Sequence, residues 1–392
     1  LFPNAVEPSH GIFVETRLRR LIETGLVATR VVAPVPWFPF ANDRFGHYAR
    51  YARVAPFELR SSIQITHPRY PVIPRIGMHV APGLLYLGAR QSLRAIIDSG
   101  FEFDLIDAHY FYPDGVAAIL LGAEFGKPVV ITARGTDVNL LADYALPRRM
   151  IRWAADRSAG VISVCHALKH RLVAIGVAAQ HIHVLRNGVD LELFRPRDRA
   201  AARARYDLRR PTLLSVGHLI PRKAHDIAIR ALAQIADAEL LIVGEGPEQG
   251  PLVALAERTG VAGRVRFLGP LPQNELPDIY SAADVLVLAS AREGWANVLL
   301  EAMACGTPVV ASNVWGTPEV VASTDAGLLV DERSDAAFAS AIGRVLANRP
   351  NRMATRAYAE QFSWEETTAG QLDLFRAVLQ GRSEPIVALG TR

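Results

Sequence analysis

Short apolar runs, each bounded by Gly, Pro, Ser or Asp, alternate with stretches of helical period through the later half of the chain. Runs at 212–216, 240–243, 265–268, 285–288 and 308–311 predict buried strands, and 226–235, 252–259 and 297–304 predict helices between them. Strands apolar on both sides and separated by helices imply a parallel sheet covered on both faces. The front half repeats the theme less regularly. Strands are expected at 30–33, 63–66, 105–108, 129–132, 160–164 and 183–185, and helices at 12–24, 84–99, 115–125 and 148–156. Residues 34–46 are rich in Pro and aromatics and read as a long loop. At 187–196 the pattern breaks with Asn-Gly and then Arg-Pro, the best candidate for an inter-domain hinge. The expected fold class is α/β, with two doubly wound Rossmann-like domains facing across a cleft. The expected divisions are 1–190, 191–365, and 366–392 as a helix and tail, the helix able to pack back on the N-terminal domain.

Length and composition bound the picture without naming a chemistry. A chain of 392 residues, half of them apolar and 21% charged, is long enough for two or three cores. No stretch reaches the ~18 uninterrupted apolar residues of a membrane span. The opening Leu1-Phe2-Pro3-Asn4 does not read as a secretory leader, and with no Met at position 1 a first strand is expected to precede it. Cys165 and Cys305 are too few for a disulfide framework, so a reducing cytoplasm is the simple expectation. Residues 1–187 hold 21 Lys+Arg against 14 Asp+Glu, and the remainder 22 against 25. A front half at +7 favours anionic lipid surfaces or anionic substrates. No zinc-ligand set, RNP-type aromatic motif or basic tract supports nucleic acid as the partner.

The most specific stretch runs from Ala289 to Val310, from a strand through a loop and a helix to the next strand. Glu293 lies in the loop and Glu301 eight positions on, inside the helix. At ~1.5 Å per residue they are separated by about 12 Å, the scale of a nucleotide sugar. Between them the amides of Asn297 and Val298 sit near the helix N-terminus, where unpaired donors favour a diphosphate. Gly294 allows close approach of the backbone. For a single Glu, a solvated helix face would be the better reading; the combination outweighs it. A second segment, 215–226, leaves a strand through Gly217 and places His218, Arg222 and Lys223 before a helix. Only Lys127, Lys169 and Lys223 are lysines, against forty arginines, so Lys223 at such a junction suits a phosphate, with a plain surface lysine equally admissible. In the front half His109 follows a strand, Arg134 and Asp137 follow another, and Gly11 precedes a helix. Each has an ordinary structural reading as well. No H-E-x-x-H, Cys-pair spacing, G-x-S-x-G elbow, P-loop or acidic metal motif is present, so neither a metal nor a cofactor is implied. The segment 244–250 looks Gly-rich, but Pro and Glu make it a turn rather than a phosphate cradle.

These residues resemble glycosyltransferase family 4, the retaining group with the GT-B fold. The resemblance spans nearly the whole chain, from Pro8-Ser-His-Gly-Ile-Phe-Val14 through Asn187-Gly-Val-Asp190 and the E-x7-E element ending at Glu301 to Gly316-Thr-Pro-Glu319. Its H-x-H/Y…PDG and T-x-R-G-T-D-V-N segments are similar to the exopolysaccharide and teichuronic-acid subgroup. The resemblance implies that Glu293 contacts donor-sugar hydroxyls, Glu301 the ribose, and Lys223 the diphosphate, with amides of Gly11, Asn297 and Val298 helping. It implies His109 and Arg134 on the acceptor-domain side of the transferring sugar, with Arg134, His218, Arg222 and Gly294 also among the donor-binding residues and Glu293, His109 and Lys223 in the catalytic group. Three departures stand out. His218 replaces a frequent Arg, for which Arg222 could substitute; Arg134 replaces a frequent His; and Trp315 replaces a frequent Gly, which would narrow the site. The expected activity is metal-independent, retaining transfer from a nucleotide-diphosphate sugar by front-face substitution, with closure about the hinge excluding water. The expected acceptor is a glycan or polyprenyl-linked glycan of polysaccharide biosynthesis at an anionic membrane face, where segment 146–153 mixes basic and apolar residues; an ordinary packed helix explains that segment at least as well. The alternatives are a nucleotide-sugar epimerase or hydrolase on the same fold, and a non-catalytic nucleotide-sugar-binding protein.

Overall fold

The computed structural model describes residues 2–42, 44, 46–72 and 77–381; the expected tail beyond them lies outside the described residues. Two compact units divide the chain, Leu1–Arg186 with Glu365–Arg392, and Asn187–Trp364. In the second unit six strands form one parallel sheet. Its order is Val265–Gly269, Glu239–Val243, Thr212–Val216, Val285–Leu288, Val309–Ser312, Gly327–Val330. Numbered by sequence this is 3-2-1-4-5-6, the doubly wound order whose direction reverses between the first and fourth strands. Every residue of Thr212–Val216 and Val285–Leu288 is buried, because helices cover both faces and a two-sided burial demands the continuous apolar runs seen in the sequence. Leu213, Leu240, Ile242, Val285, Val287 and Val310 pack with Ile229 and Leu232 of the helix His225–Ala233 and with Phe338 and Ile342 of Asp335–Ala347. The strand Gly327–Val330 and the helix Asp335–Ala347 are elements the periodicity did not single out.

Loops at the carboxyl ends of this sheet are packed backbone to backbone. Leu219 N–H donates to Glu245 O at 2.9 Å, and Gly217 N–H to Val243 O at 2.9 Å. A Cβ on Gly244, whose φ is 138°, would lie 2.0 Å from the Gly217 carbonyl oxygen, and one on Gly246 2.4 Å from that of Leu219. The glycines at 244 and 246 therefore serve loop-to-loop contact, consistent with a turn and not with a phosphate cradle.

In the first unit four parallel strands run in sequence order, Ile106–His109, Val129–Ala133, Gly160–Ser163, Ile182–Val184. Val31–Val32 pairs parallel with Ile63–Thr66, which pairs antiparallel with Phe57–Arg60. Within the stretch expected as loop, Val35–Pro36 pairs with Arg69–Tyr70. Leu372, Leu374 and Phe375 of the helix Trp364–Leu379 pack on Leu21, Val130 and Ile162. The helix Gly77–Asp98 starts seven residues before the expected position, and Pro82 lies inside it. Pro82 has no N–H to give Met78 O, the partner of a regular helix, and the Tyr112 hydroxyl donates to that carbonyl instead. A side chain distant in sequence thus satisfies the carbonyl that Pro82 leaves open.

Replacing Gly244 by Ala forces apart the loops that carry the carboxyl-end residues. We expect Gly244→Ala to lower the unfolding free energy by about 2–4 kcal/mol in a denaturant titration; a change within ~0.5 kcal/mol would show that the loops are not in contact.

Candidate functional site

The sheet reversal of the second unit concentrates its polar chemistry. After Thr212–Val216 the chain passes through Gly217, makes a 3-10 turn at Pro221–Lys223, and starts the helix His225–Ala233. After Val285–Leu288 the neighbouring loop carries Glu293 towards the helix Asn297–Ala304. Three polar contacts join the two loops. Ala291 N–H donates to Arg222 O at 2.8 Å, Arg222 Nη1 to Arg292 O at 2.7 Å, and Lys223 Nζ to Glu293 Oε1 at 2.6 Å. Arg222 Nη1 is also 3.6 Å from Glu293 Oε2. Glu293 is 7% exposed. Burial pushes its carboxyl up, but Lys223 and Arg222 together outweigh that and hold it below its ordinary value, so it is ionised. The Lys223 stem runs over Gly217, where a Cβ would meet its Cε at 3.4 Å.

His225 supports this loop from beneath. Its ring lies 2.8 Å from Ser215 Oγ through Nδ1 and 3.3 Å from His218 O through Nε2. The carbonyl can only accept, so Nε2 carries the proton and Nδ1 accepts from the serine. Burial, the largest cause, pushes the His225 pKa down to about 4. The His218 side chain itself is exposed.

Glu301 is 4% exposed on the helix Asn297–Ala304. Tyr280, fully buried on Leu276–Ala282, donates its hydroxyl to Glu301 Oε2 at 2.8 Å. Burial drives the Glu301 pKa up to about 7 against that hydrogen bond. At the start of the helix Asn297 N–H turns back to Trp295 O at 3.1 Å, and Asn297 Oδ1 accepts from Asn187 Nδ2 at 3.3 Å. The Asn297 amide is therefore engaged, contrary to the expectation of an open donor there; Val298 follows it, half-buried, and Gly294 is buried beside Glu293. Trp315 has φ 48°. Its left-handed backbone gives a physical reason for a Gly at this place.

The first unit holds a separate cluster. Arg134 Nη2 is 2.8 Å from His109 Nδ1, and His109 Nε2 is 3.3 Å from Asp107 Oδ2. A guanidinium only donates, so Nδ1 accepts and the Nε2 proton faces Asp107. Burial first, with Arg134 and Arg17 adding, pushes the His109 pKa below its ordinary value, Asp107 pulling the other way. Gln371 of the C-terminal helix bridges Arg17 Nε (2.5 Å) and Asp107 Oδ2 (2.8 Å). Arg17 is 1% exposed, and burial pushes its pKa down to about 9. Asp137 accepts the backbone N–H of Phe111 and Gly135, both at 2.7 Å, and of Arg134 at 3.2 Å. It builds the loop, with both oxygens accepting from backbone amides. Gly11 caps the helix Ile12–Glu23 with φ 71°.

Residues 61–193 match the model of Glycosyltransferase Family 4, and 197–362 that of glycosyl transferases group 1. The D-inositol 3-phosphate glycosyltransferase of Segniliparus rotundus is 35% identical over 72% of this chain and 68% of that protein. The chain belongs to the group 1, family 4 glycosyltransferases. The counterpart from Rhodococcus jostii is 34% identical over 70% of this chain and 66% of that protein, just under two thirds of its length. A D-inositol 3-phosphate glycosyltransferase of Catenulispora acidiphila is 31% identical over 95% of this chain and 91% of that one. Sucrose-phosphate synthase of Thermosynechococcus elongatus has a TM-score of 0.77 at 23% identity, covering 95% and 94% of the two chains. Anabaena HepE in complex with UDP and glucose has 0.72 at 21%, covering 93% and 96%. The fold of this glycosyltransferase is GT-B.

Within the glycosyltransferase, Lys223, Arg222 and Glu293 meet, Glu301 meets Tyr280, and His109 meets Arg134. Sequence reasoning missed Arg17, Asp107, Gln371, His225 and Tyr280 as supporting groups. Asp107 lay in a segment already singled out, but Gln371 is 264 positions from Asp107 and no local signal links them.

The neutral state of His225 gives a pH prediction. Below its ordinary pKa of about 6.5 the unfolded chain binds a proton that the fold excludes. This stability is complete above pH 6.5 and lost as pH falls to about 4, amounting to about 3 kcal/mol. Glu301, with its raised pKa, acts oppositely between about 4.5 and 7, so the wild type alone does not isolate the effect. His225→Asn should be clearly less stable than wild type at pH 7, with the gap narrowing towards pH 4 in denaturant titrations. A gap independent of pH would refute the assignment.

Proposed function

We propose that this enzyme transfers a sugar, with retention and without a metal, from a nucleotide-diphosphate donor to a glycan or lipid-linked acceptor. The observation that carries the reading is the Lys223–Glu293 pair, 2.6 Å apart, at the reversal of a 3-2-1-4-5-6 sheet. Ligands of such sheets bind beyond the strand carboxyl ends at this point. The solved complexes of HepE, whose titles name UDP, UDP-glucose, and UDP with glucose, support a nucleotide-sugar donor. Lys223 and Arg222 receive the diphosphate, Glu293 a sugar hydroxyl, and Glu301 the ribose. As the bond from the anomeric carbon to the phosphate oxygen breaks, the leaving diphosphate gains negative charge, and a fixed ammonium stabilises it without reorganisation. The acceptor oxygen attacks from the same face, and its proton passes to a phosphate oxygen. No protein nucleophile is required, so Glu293 positions rather than attacks. In the first unit both ring nitrogens of His109 are engaged, which favours Arg134 as the group that meets substrate and His109 as the group that orients it.

For the acceptor, the front-half segments similar to exopolysaccharide and teichuronic-acid enzymes support a glycan or polyprenyl-linked glycan in polysaccharide synthesis. The relatives' names bring a phosphorylated cyclitol as the second reading, at 34–35% identity. The excess of basic residues over 1–187 suits either. A peripheral position on an anionic cytoplasmic membrane face is part of the first reading. The helix Ala145–Ala155 offers that surface its arginines and the half-buried Leu146, Met150 and Trp153, while Pro147 and Ile151 are buried. Trp37, Phe40 and Tyr48, 56%, 53% and 47% exposed, are the better apolar contacts. Among the described residues no helix is long and apolar enough to cross a membrane.

Nucleotide release from a panel of nucleotide sugars, with and without inositol 3-phosphate or lipid extract, tests the proposal. Acceptor-dependent release is expected; donor consumption without acceptor would indicate a hydrolase or epimerase, and binding without turnover a sensor. Lys223→Ala and Glu293→Ala should each lower turnover about 10²–10³-fold. Near-normal transfer by both would remove the assignment. Pelleting with phosphatidylglycerol vesicles but not with phosphatidylcholine alone is expected for the membrane reading, and equal recovery would discard it.

A further inference from the structure

Glu301 does not hold itself in place. Its carboxylate is buried on one helix with the Cys305 thiol as a titratable neighbour, and Oε2 takes the Tyr280 hydroxyl from another helix at 2.8 Å. Tyr280 is itself fixed from three sides. It has no exposure, its ring meets Phe194 edge-on with centroids 6.1 Å apart, and its backbone carbonyl accepts the Thr307 hydroxyl at 2.6 Å. Phe194 is tied in turn, its carbonyl accepting Arg356 Nη1 at 2.5 Å, while a second bond from the same nitrogen reaches Ala304 O, in the helix that carries Glu301, at 2.8 Å. The phenol therefore cannot follow the carboxylate if it turns. Glu301 must come to the hydroxyl.

We propose that Tyr280 is a positioning residue for nucleotide binding: its hydroxyl fixes the Glu301 carboxylate in the orientation, and in the ionised form, that accepts two hydroxyls of a ribose. The inference rests on the assignment of Glu301 to the donor. A phenol O–H stabilises the charged carboxylate, whereas burial favours the neutral acid, and at Glu301 burial already prevails enough to bring the pKa to about 7. Removing the hydroxyl removes the opposing influence. The acid then keeps its proton at neutral pH, loses acceptor capacity, and is released from one rotamer.

The test is the dissociation constant for UDP, from pH 6 to pH 9, for wild type, Tyr280→Phe and Glu301→Gln. Wild-type binding should weaken as pH falls through about 7. Tyr280→Phe should bind about tenfold more weakly at pH 7 and recover towards wild type by pH 9, with kcat at saturating donor within about twofold. Glu301→Gln should be weak and should lack the change centred near pH 7, keeping only the dependence that the terminal phosphate of UDP brings near about pH 6. A Tyr280→Phe curve that coincides with wild type, or lies at a constant offset from it at every pH, overturns the proposal, since a merely structural role produces a constant offset. If Tyr280→Phe does not fold, 3-fluorotyrosine at position 280 serves. It is a stronger donor of the same shape and should move the wild-type midpoint to lower pH, and an unmoved midpoint overturns the proposal. Failure of the wild type to bind UDP, GDP or ADP at any pH would instead reject the nucleotide-sugar reading itself.

Discussion

The Lys223–Glu293 pair exists because two strands that are distant in sequence lie side by side. Thr212–Val216 and Val285–Leu288 are neighbours at the place where the sheet order reverses. Helices cross away on opposite faces there, leaving the carboxyl ends of both strands uncovered by either connection. Two loops then have to share one space. Their contact is made by the Ala291–Arg222 backbone bond, the reach of Arg222 to Arg292 O, and the ammonium on the carboxylate. Burying an ion pair costs desolvation, and two loops that already hold each other reduce the additional cost of ordering it.

Around this junction the fold uses small or neutral groups where contact is closest. Gly217 admits the lysine stem, and Gly244 and Gly246 admit the backbone of the adjacent loop. His225, a residue that could carry charge, is kept neutral by burial and spends one nitrogen on Ser215 of the strand and the other on the His218 carbonyl of the loop. The first unit follows the same logic with more charge. Asp107 collects His109 and Gln371, Gln371 collects Arg17, and Asp137 absorbs three amides. The guanidinium of Arg134 is the member that the sequence departure from His makes distinctive, and His109 aligns it.

The two glutamates of the second unit contrast in their surroundings. Glu293 sits among cations and is ionised; Glu301 is buried beside a phenol and a thiol, with a pKa near neutrality. The same side chain, eight positions apart, is thus held under two different electrostatic regimes.

By itself the sequence determined the α/β class, most strands of the second unit, and the segments that carry Glu293, Glu301, Lys223, His109 and Arg134. Two-sided burial writes itself as short apolar runs, and loop chemistry as local clusters of Gly, charge and Pro, so both are legible within a window of a few residues. Only the tertiary structure decided that Asn297 N–H is engaged, that Asp137 is spent on backbone amides, and that Gln371 and Tyr280 hold the groups in question. It also decided that a helix runs through Pro82, because Tyr112 satisfies Met78 O from another part of the chain. Each of these depends on which distant atom comes within 3 Å. That is fixed by packing whole elements together, and no periodicity along the chain records it.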